Sequence, residues 1–522
     1  MSSVASAPRA SLSVSIGPTA RLFERLFAAL VVCYYARNFA ARWGDSDMGG
    51  RLAVGRLFLA KGHMPLADPF AYTPTLPMWI DHEWLTGVVF YVLQIIGGDA
   101  GILVAKTLLG LGVLSFIWAT ARLNGATTLP LVAALAIAMP VLGYGMLPRA
   151  QVFTYFLFAM WLYMLERYRH GGLAWPLGLL PVSMLAWANL HGGFLAGLGL
   201  LALYVLGSFR DRPRCLMLLV ALAVSTAVTL INPYGLNYWR YLVDAVTMHR
   251  PGVNEWASPP FTFAYAQFWL MVAVTIFALT RAAIRRDLSM PVVLTLAVTL
   301  LLSVRSARHM PLFAICACSF LPPLWPRANA ERPAVLDRHS RSPLMDFAIV
   351  GCLVAAIVFQ IYGLTVLDGP AEFRYPDQAT GVENLVTYPV EAVHYAEQHQ
   401  LWGNMAVPFN WGEYAIWHLY PECRVSMDGR YETAYPQQTV EMVENFFLAA
   451  PDWQRLLDDY ATNLVLAPPG APVNRELAKL SDWKILFSDH AAVLWGRVNP
   501  ATPKQEANES LRREVASQER SN

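Results

Sequence analysis

The stretch WLTGVVFYVLQIIGG, residues 84–98, decides the topology of this chain. It is apolar from Trp84 onward, yet it stops at Gly97-Gly98 after about half the ~20 residues that a comfortable membrane crossing needs. Runs of spanning length lie on both sides of it, at 23–40 and then at 101–121, 128–147, 151–166, 173–190, 193–209, 215–231, 266–283, 288–304, 309–326 and 345–366. Basic clusters occur at Arg167/Arg169, Arg210/Arg212/Arg214, Arg281/Arg285/Arg286 and Arg327/Arg332/Arg338/Arg341. The excess of Lys and Arg on the cytoplasmic side puts all four clusters there. They agree with one another, and with a cytoplasmic N-terminus, only if residues 84–96 do not cross. The stretch therefore reads as a juxtamembrane helix, leaving eleven crossings and a carboxy-terminal region outside.

Composition agrees. Of 522 residues, 56% are hydrophobic and only 15% charged, and the mean hydropathy is +0.37. Soluble domains carry about a quarter charged residues, so a polytopic helical membrane protein is the expected class. The net charge of +2, from 39 basic and 37 acidic residues, leaves no basic field for nucleic acid. The six cysteines include no CxxC pair, and most lie inside apolar runs, which excludes a disulfide scaffold. Residues 1–20 and 499–522 read as disordered tails, 21–366 as the membrane domain, and 367–498 as an outer α/β domain. In that last segment, 390–400 and 436–449 read as helices, and 405–409, 424–427, 463–466 and 493–498 as strands of a mainly parallel sheet.

With eleven crossings the polar residues that sit oddly among apolar neighbours fall on the outer face. The first outer loop, 42–83, opens with Trp43-Gly44-Asp45-Ser46-Asp47. Two carboxylates one residue apart can share a divalent cation, with Asp47 the candidate ligand, or take a proton; the plain alternative is a solvated helix cap. The loop ends in Asp81-His82-Glu83, where Asp81 and Glu83 are candidates for binding sugar hydroxyls and His82 for a metal, or Asp81 simply caps a helix. Arg149, Arg305, Arg308 and His309 sit at outer span ends. Basic residues avoid that side unless an anion holds them, and a phosphate matches the guanidinium fork; headgroup snorkelling is the competing account. His191, beside Asn189 and ahead of Gly192-Gly193, is a candidate metal ligand or a satisfied turn histidine. Asn254-Glu255-Trp256 is placed outside with no role. In the outer domain, Trp411 and Glu413 of Phe409-Asn410-Trp411-Gly412-Glu413-Tyr414, and Asp428-Gly429-Arg430-Tyr431, follow presumed strands, where open α/β sheets place ligands; aromatic packing and a turn are the alternatives.

On Asp45 and Asp47, and on Pro148-Arg149-Ala150-Gln151-Val152-Phe153, the chain resembles the GT-C superfamily of membrane glycosyltransferases, in particular the bacterial glycosyltransferase-39-like group. Trp411-Gly412-Glu413-Tyr414 is more loosely similar to the Trp-Trp-Asp-Tyr-Gly segment of oligosaccharyltransferase catalytic subunits, with one tryptophan missing and the acid after the glycine. The resemblance implies a polyprenyl-phosphate sugar donor, a glycan, lipid or protein acceptor, and metal-assisted (Mg or Mn) inverting transfer at the outer face of a bacterial inner membrane. Asp45 and Asp47 would be its acidic motif. A transporter or flippase of lipid-linked sugars, or an envelope-assembly scaffold, is the rival expectation. The apolar mid-span positions and the lack of matching halves weigh against transport.

Overall fold

The structure, a computed structural model, describes residues 18–171, 174–247, 254–285, 289–324, 343–377 and 387–498. The tails at 1–17 and 499–522, Arg286, and the cluster Arg327/Arg332/Arg338/Arg341 lie outside the described residues. Every apolar run named above carries a helix. The chain runs through α1 (Pro18–Phe39), α2 (Met48–Lys61), α3 (Trp84–Leu123), α4 (Thr128–Gly143), α5 (Gln151–Gly171), α6 (Trp175–Leu190) and α7 (Phe194–Gly207). It continues through α8 (Arg212–Val228), α9 (Leu236–Thr247), α10 (Ala266–Arg285), α11 (Met290–Arg305), α12 (Met310–Phe320) and α13 (Pro343–Tyr362). Among the described residues, three helical segments are long and apolar enough to cross a membrane: Trp84–Leu123, Phe263–Arg285 and Phe347–Val366. The first helix starts at Pro18.

The stretch at 84–98 behaves as its glycines dictate. Gly98 has φ +58° and ψ −153°, outside helical space, and breaks α3 into two pieces. The second piece folds back so closely that a side chain at Gly101 would meet the Leu93 carbonyl oxygen at 2.5 Å.

α2 lies within the segment read as a loop. It ends on Gly62 at φ +73°, whose N–H bonds the Phe58 carbonyl. Its Gly55 packs directly on Gly87 of α3, with the two backbones too close for a β-carbon on either. Glycines lower helix propensity by roughly 1 kcal/mol each, which hides α2 from a periodicity reading. Here they serve close packing.

The carboxy-terminal unit contains α14 (Val390–Gln398), α15 (Phe409–Leu419), α16 (Gln437–Phe447), α17 (Arg455–Asp458) and α18 (Val473–Leu477). Its strands are β1 (Gly403–Ala406), β2 (Cys423–Val425), β3 (Leu464–Ala467), β4 (Trp483–Ser488) and β5 (Val493–Arg497), in the order β2-β1-β3-β5-β4. β2, β1 and β3 are parallel, whereas β5 pairs antiparallel with both β3 and β4. The sheet is therefore mixed, with β4 the strand the sequence did not announce.

This unit shares one apolar core with the first loop: Phe70, Trp79 and Val54 pack with Val425, Met427 and Trp411. The loop also pairs with the sheet edge, where Tyr72 N–H donates to the Val425 carbonyl and Val425 N–H to that of Phe70. At the seam, Arg430 is buried between the faces of Phe70 and Trp79, each 4.8 Å away. It makes a two-pronged bond to Asp428 at 2.7 and 2.6 Å and reaches across to Asp68. Asp428 and Arg430 thus tie the loop to the sheet, and no ligand is needed to account for them.

Candidate functional site

The turn between α1 and α2 sets the acidic pair. Asp45 is buried; its Oδ1 accepts the Asp47 N–H at 3.0 Å and its Oδ2 takes Nε of Arg149 at 2.6 Å. Asp47 occupies the N-cap position of α2 without making a side-chain cap bond. Its side chain is 41% exposed and lies 3.6 Å from Arg149 Nε. Burial pushes the Asp45 carboxyl up to about 6; Arg149 opposes this and the like charge of Asp47 adds to it.

Arg149 stands in the turn between α4 and α5. Its Nη1 lies 3.2 Å from Glu255 Oε2, and the other oxygen of Glu255 takes Nη1 of Arg308 at 2.6 Å. Arg308 also lies 4.9 Å above the Trp256 ring. Burial works against the charge on Arg149, but Asp45, Asp47 and Glu255 hold it as a permanent cation. Segments 104, 106 and 53 residues apart therefore build one chain, Asp45–Arg149–Glu255–Arg308, with Asp47 at its open edge.

The other expected anion-binding groups part company. Arg305 is exposed, and its backbone carbonyl accepts from the Ser258 hydroxyl at 3.2 Å. His309 stands edge-on to Trp256. Glu255 is the residue sequence reasoning passed over. Its only signal was a place on the outer face beside a tryptophan.

A second polar group lies at the end of the first loop. Asp81 is buried, with Oδ1 on Arg51 of α2 at 2.6 Å and on the Glu83 N–H at 2.9 Å. Glu83 lies 3.7 Å from Arg51 and 3.4 Å from Nε2 of both His82 and His191. Burial alone would raise the Glu83 carboxyl, but His82 and Arg51 hold it well below the usual range. Arg51 Nε, Asp81 Oδ2 and His82 Nδ1 are buried without a hydrogen-bond partner. Asp81 is therefore an ion-pair partner and turn former two residues before the cap, which falls on Glu83.

His191 fixes its own tautomer. Nδ1 accepts the Gly193 N–H at 2.9 Å and faces the Thr154 hydroxyl at 2.8 Å, whose oxygen already accepts from Trp187. The ring proton is therefore on Nε2 and points at Glu83. Burial lowers its pKa to about 3, so it is neutral. With Nε2 protonated and Nδ1 occupied, His191 has no free lone pair for a metal. Gly193 is needed here, since a β-carbon would come within 2.5 Å of Nδ1.

The donor set expected for a divalent ion, Asp47 with His82 and His191, is not brought together. Among the described residues no group of three or more His, Cys, Asp or Glu side chains converges as metal ligands. Asp45 and Asp47 have a guanidinium beside them instead, which does not fit a cation between the two.

In the carboxy-terminal unit, Trp411 is buried and donates its indole N–H to the Thr387 carbonyl at 2.6 Å, so it packs the core and does not face a ligand. Glu413 does reach the site. Its Oε2 accepts the Gly50 N–H at 3.0 Å, and Oε1 and Asp47 Oδ1 both approach Gly429. Burial and the neighbouring charge of Asp47 raise its pKa well above the usual range despite Arg51.

No protein-family model matches the chain, and no curated protein matches it. Among solved structures it is similar to the cryo-EM structure of the arabinofuranosyltransferase AftD from Mycobacteria, at 12% identity and a TM-score of 0.41. The match covers 92% of this chain and 40% of that one, so the chain spans well under half the length of that protein.

Proposed function

We propose that the protein is a membrane glycosyltransferase that moves a sugar from a polyprenyl-phosphate donor to an acceptor hydroxyl, in one inverting displacement, at the outer face of the bacterial inner membrane. The observation that carries this reading is the pair of guanidiniums, Arg149 and Arg308, held side by side by Glu255 and flanked by the accessible carboxylate of Asp47.

Each part has a task. The hydrocarbon chain of such a donor contributes about 0.8 kcal/mol per buried methylene but no choice of sugar. The guanidinium pair neutralises charge as it develops on the departing phosphate, with Glu255 spacing the two until the phosphate exchanges for it. Asp47 takes the proton of the acceptor hydroxyl as its oxygen attacks the anomeric carbon, and the sugar–phosphate bond breaks on the opposite face. Asp45 positions Arg149. Phosphate is a good leaving group, so no separate acid is assigned, and no step is routed through a metal.

A general base of this kind contributes about 10²–10⁴-fold. Asp47→Asn is accordingly expected to lose at least about 10²-fold in transfer, read by mass spectrometry of products from a panel of polyprenyl-phosphate sugars, with membrane insertion intact. Wild-type protein that consumes none of the panel, or an Asp47→Asn variant with full activity, would remove the assignment.

A further inference from the structure

We infer that the cleft between the carboxy-terminal ends of α1 and α13 binds the phosphodiester headgroup of an anionic membrane lipid. The cleft has a volume of about 310 Å³, and its lining includes Arg37, Arg42, Arg374, Gln360 and Asp368. Three guanidiniums face one carboxylate there, an excess of two positive charges.

The cations are fixed in place. Arg37 lies 3.4 Å from both Asp368 and Gln360. Arg42 donates to the carbonyls of Asp368, Gly369 and Pro370, and Arg374 to that of Asp368 at 2.5 Å. Gly369, at φ +74°, turns those carbonyls toward Arg42. Gly363 leaves room for Arg37, whose Cζ would lie 2.5 Å from a β-carbon. Neutral carbonyls orient a guanidinium without cancelling its charge, so the cleft keeps its attraction for a dianion or monoanion. Guanidinium forks match the oxygens of a phosphate bidentately.

The surroundings say where that phosphate comes from. α13 is covered on little of its surface: Val354, Val358, Phe359 and Ile361 are exposed. Phe359 lies beneath Arg37 at 5.7 Å, and Tyr34, also in the lining, is exposed beside it. An apolar, unburied helix running up to a cationic polar cleft offers acyl chains a wall and a headgroup a seat. The cleft is separate from the Asp45–Arg308 chain but joined to it by backbone, since Gly44 N–H donates to the Arg374 carbonyl at 2.9 Å and Arg374 N–H to that of Arg42 at 2.7 Å.

Native mass spectrometry of the purified full-length protein, offered phosphatidylglycerol and phosphatidylcholine in equal amounts, tests this. Phosphatidylglycerol is expected to be retained at least about tenfold over phosphatidylcholine, and the double variant Arg42→Gln/Arg374→Gln to lose that preference. Asp368→Asn removes the one acid and is expected to raise retention several-fold, a gain that misfolding cannot imitate. Equal retention of the two lipids, or no gain in Asp368→Asn, overturns the proposal. Displacement of the lipid by millimolar inorganic phosphate would overturn the lipid as the source while confirming a phosphate seat.

Discussion

At the scale of single residues, the two acids of the first loop do different work because their surroundings differ. Asp45 carries a carboxyl at about 6, raised by burial and only partly restored by Arg149. Above that pH it is ionised and clamps Arg149; below it the clamp weakens. Activity is therefore expected to rise through about pH 6, and Asp45→Asn to flatten that limb while lowering the plateau. A pH profile of transfer checks both, and an unchanged limb in the variant would sink the positioning role. Glu413 makes a different case, since its buried carboxyl accepts from Gly50, and burial and Asp47 raise its pKa. Glu413→Gln should keep transfer within about threefold by rate measurement, a local change inside the usual range for a non-perturbing substitution. The acidic pair, Arg149 and Arg308 were legible in the sequence because charged groups at span ends stand out against apolar neighbours. Glu255 and Arg51 were not, because their partners lie far along the chain and nothing local distinguishes them from solvated charges.

At the scale of elements, glycine governed what could be read. Gly97-Gly98 announced the break in α3, whereas Gly49, Gly50 and Gly55 disguised α2 as loop. The loop containing α2 then carries the seam to the sheet, where Asp68, Arg430 and Asp428 are fully buried. Breaking a buried ion group by removing one member costs roughly 3–5 kcal/mol, because the remaining charges stay desolvated. Arg430→Met leaves two carboxylates facing each other at that seam. It is expected to lower the melting temperature and open the carboxy-terminal unit to protease, while Asp47→Asn does neither. Thermal melts and limited proteolysis of both variants decide it; equal melting of Arg430→Met and wild type would show that the seam does not depend on this group. β4 escaped notice for another reason. Its residues Trp483–Ser488 expose Lys484 and Ile485 alike, so no alternation marks a buried face.

At the scale of the whole molecule, the site exists only because chain segments that are distant in sequence end on one side. Asp45 follows α1, Arg149 follows α4, Glu255 and Arg308 flank α10 and α11, and Glu413 arrives with the carboxy-terminal unit. Their direct contacts require a common compartment. The clusters at Arg167/Arg169 and Arg210/Arg212/Arg214 sit at the opposite helix ends, near the carboxy-terminal end of α5 and from the α7–α8 turn into the first turn of α8. The positive-inside rule predicts that those ends are cytoplasmic, and with them the short stretch at 84–98 is expected to stay on the outer side. Cysteines placed singly at the exposed positions Lys61, Lys479 and Arg210, with the exposed native Cys352 replaced by Ala, report this directly. An impermeant maleimide applied from outside to right-side-out cells or vesicles is expected to modify Lys61→Cys and Lys479→Cys alike. It should reach Arg210→Cys only after the membrane is opened. Labelling of Lys61→Cys and Lys479→Cys from opposite sides would separate the loop from the sheet it pairs with. Labelling of all three from outside would instead reverse the charge rule on which the orientation rests.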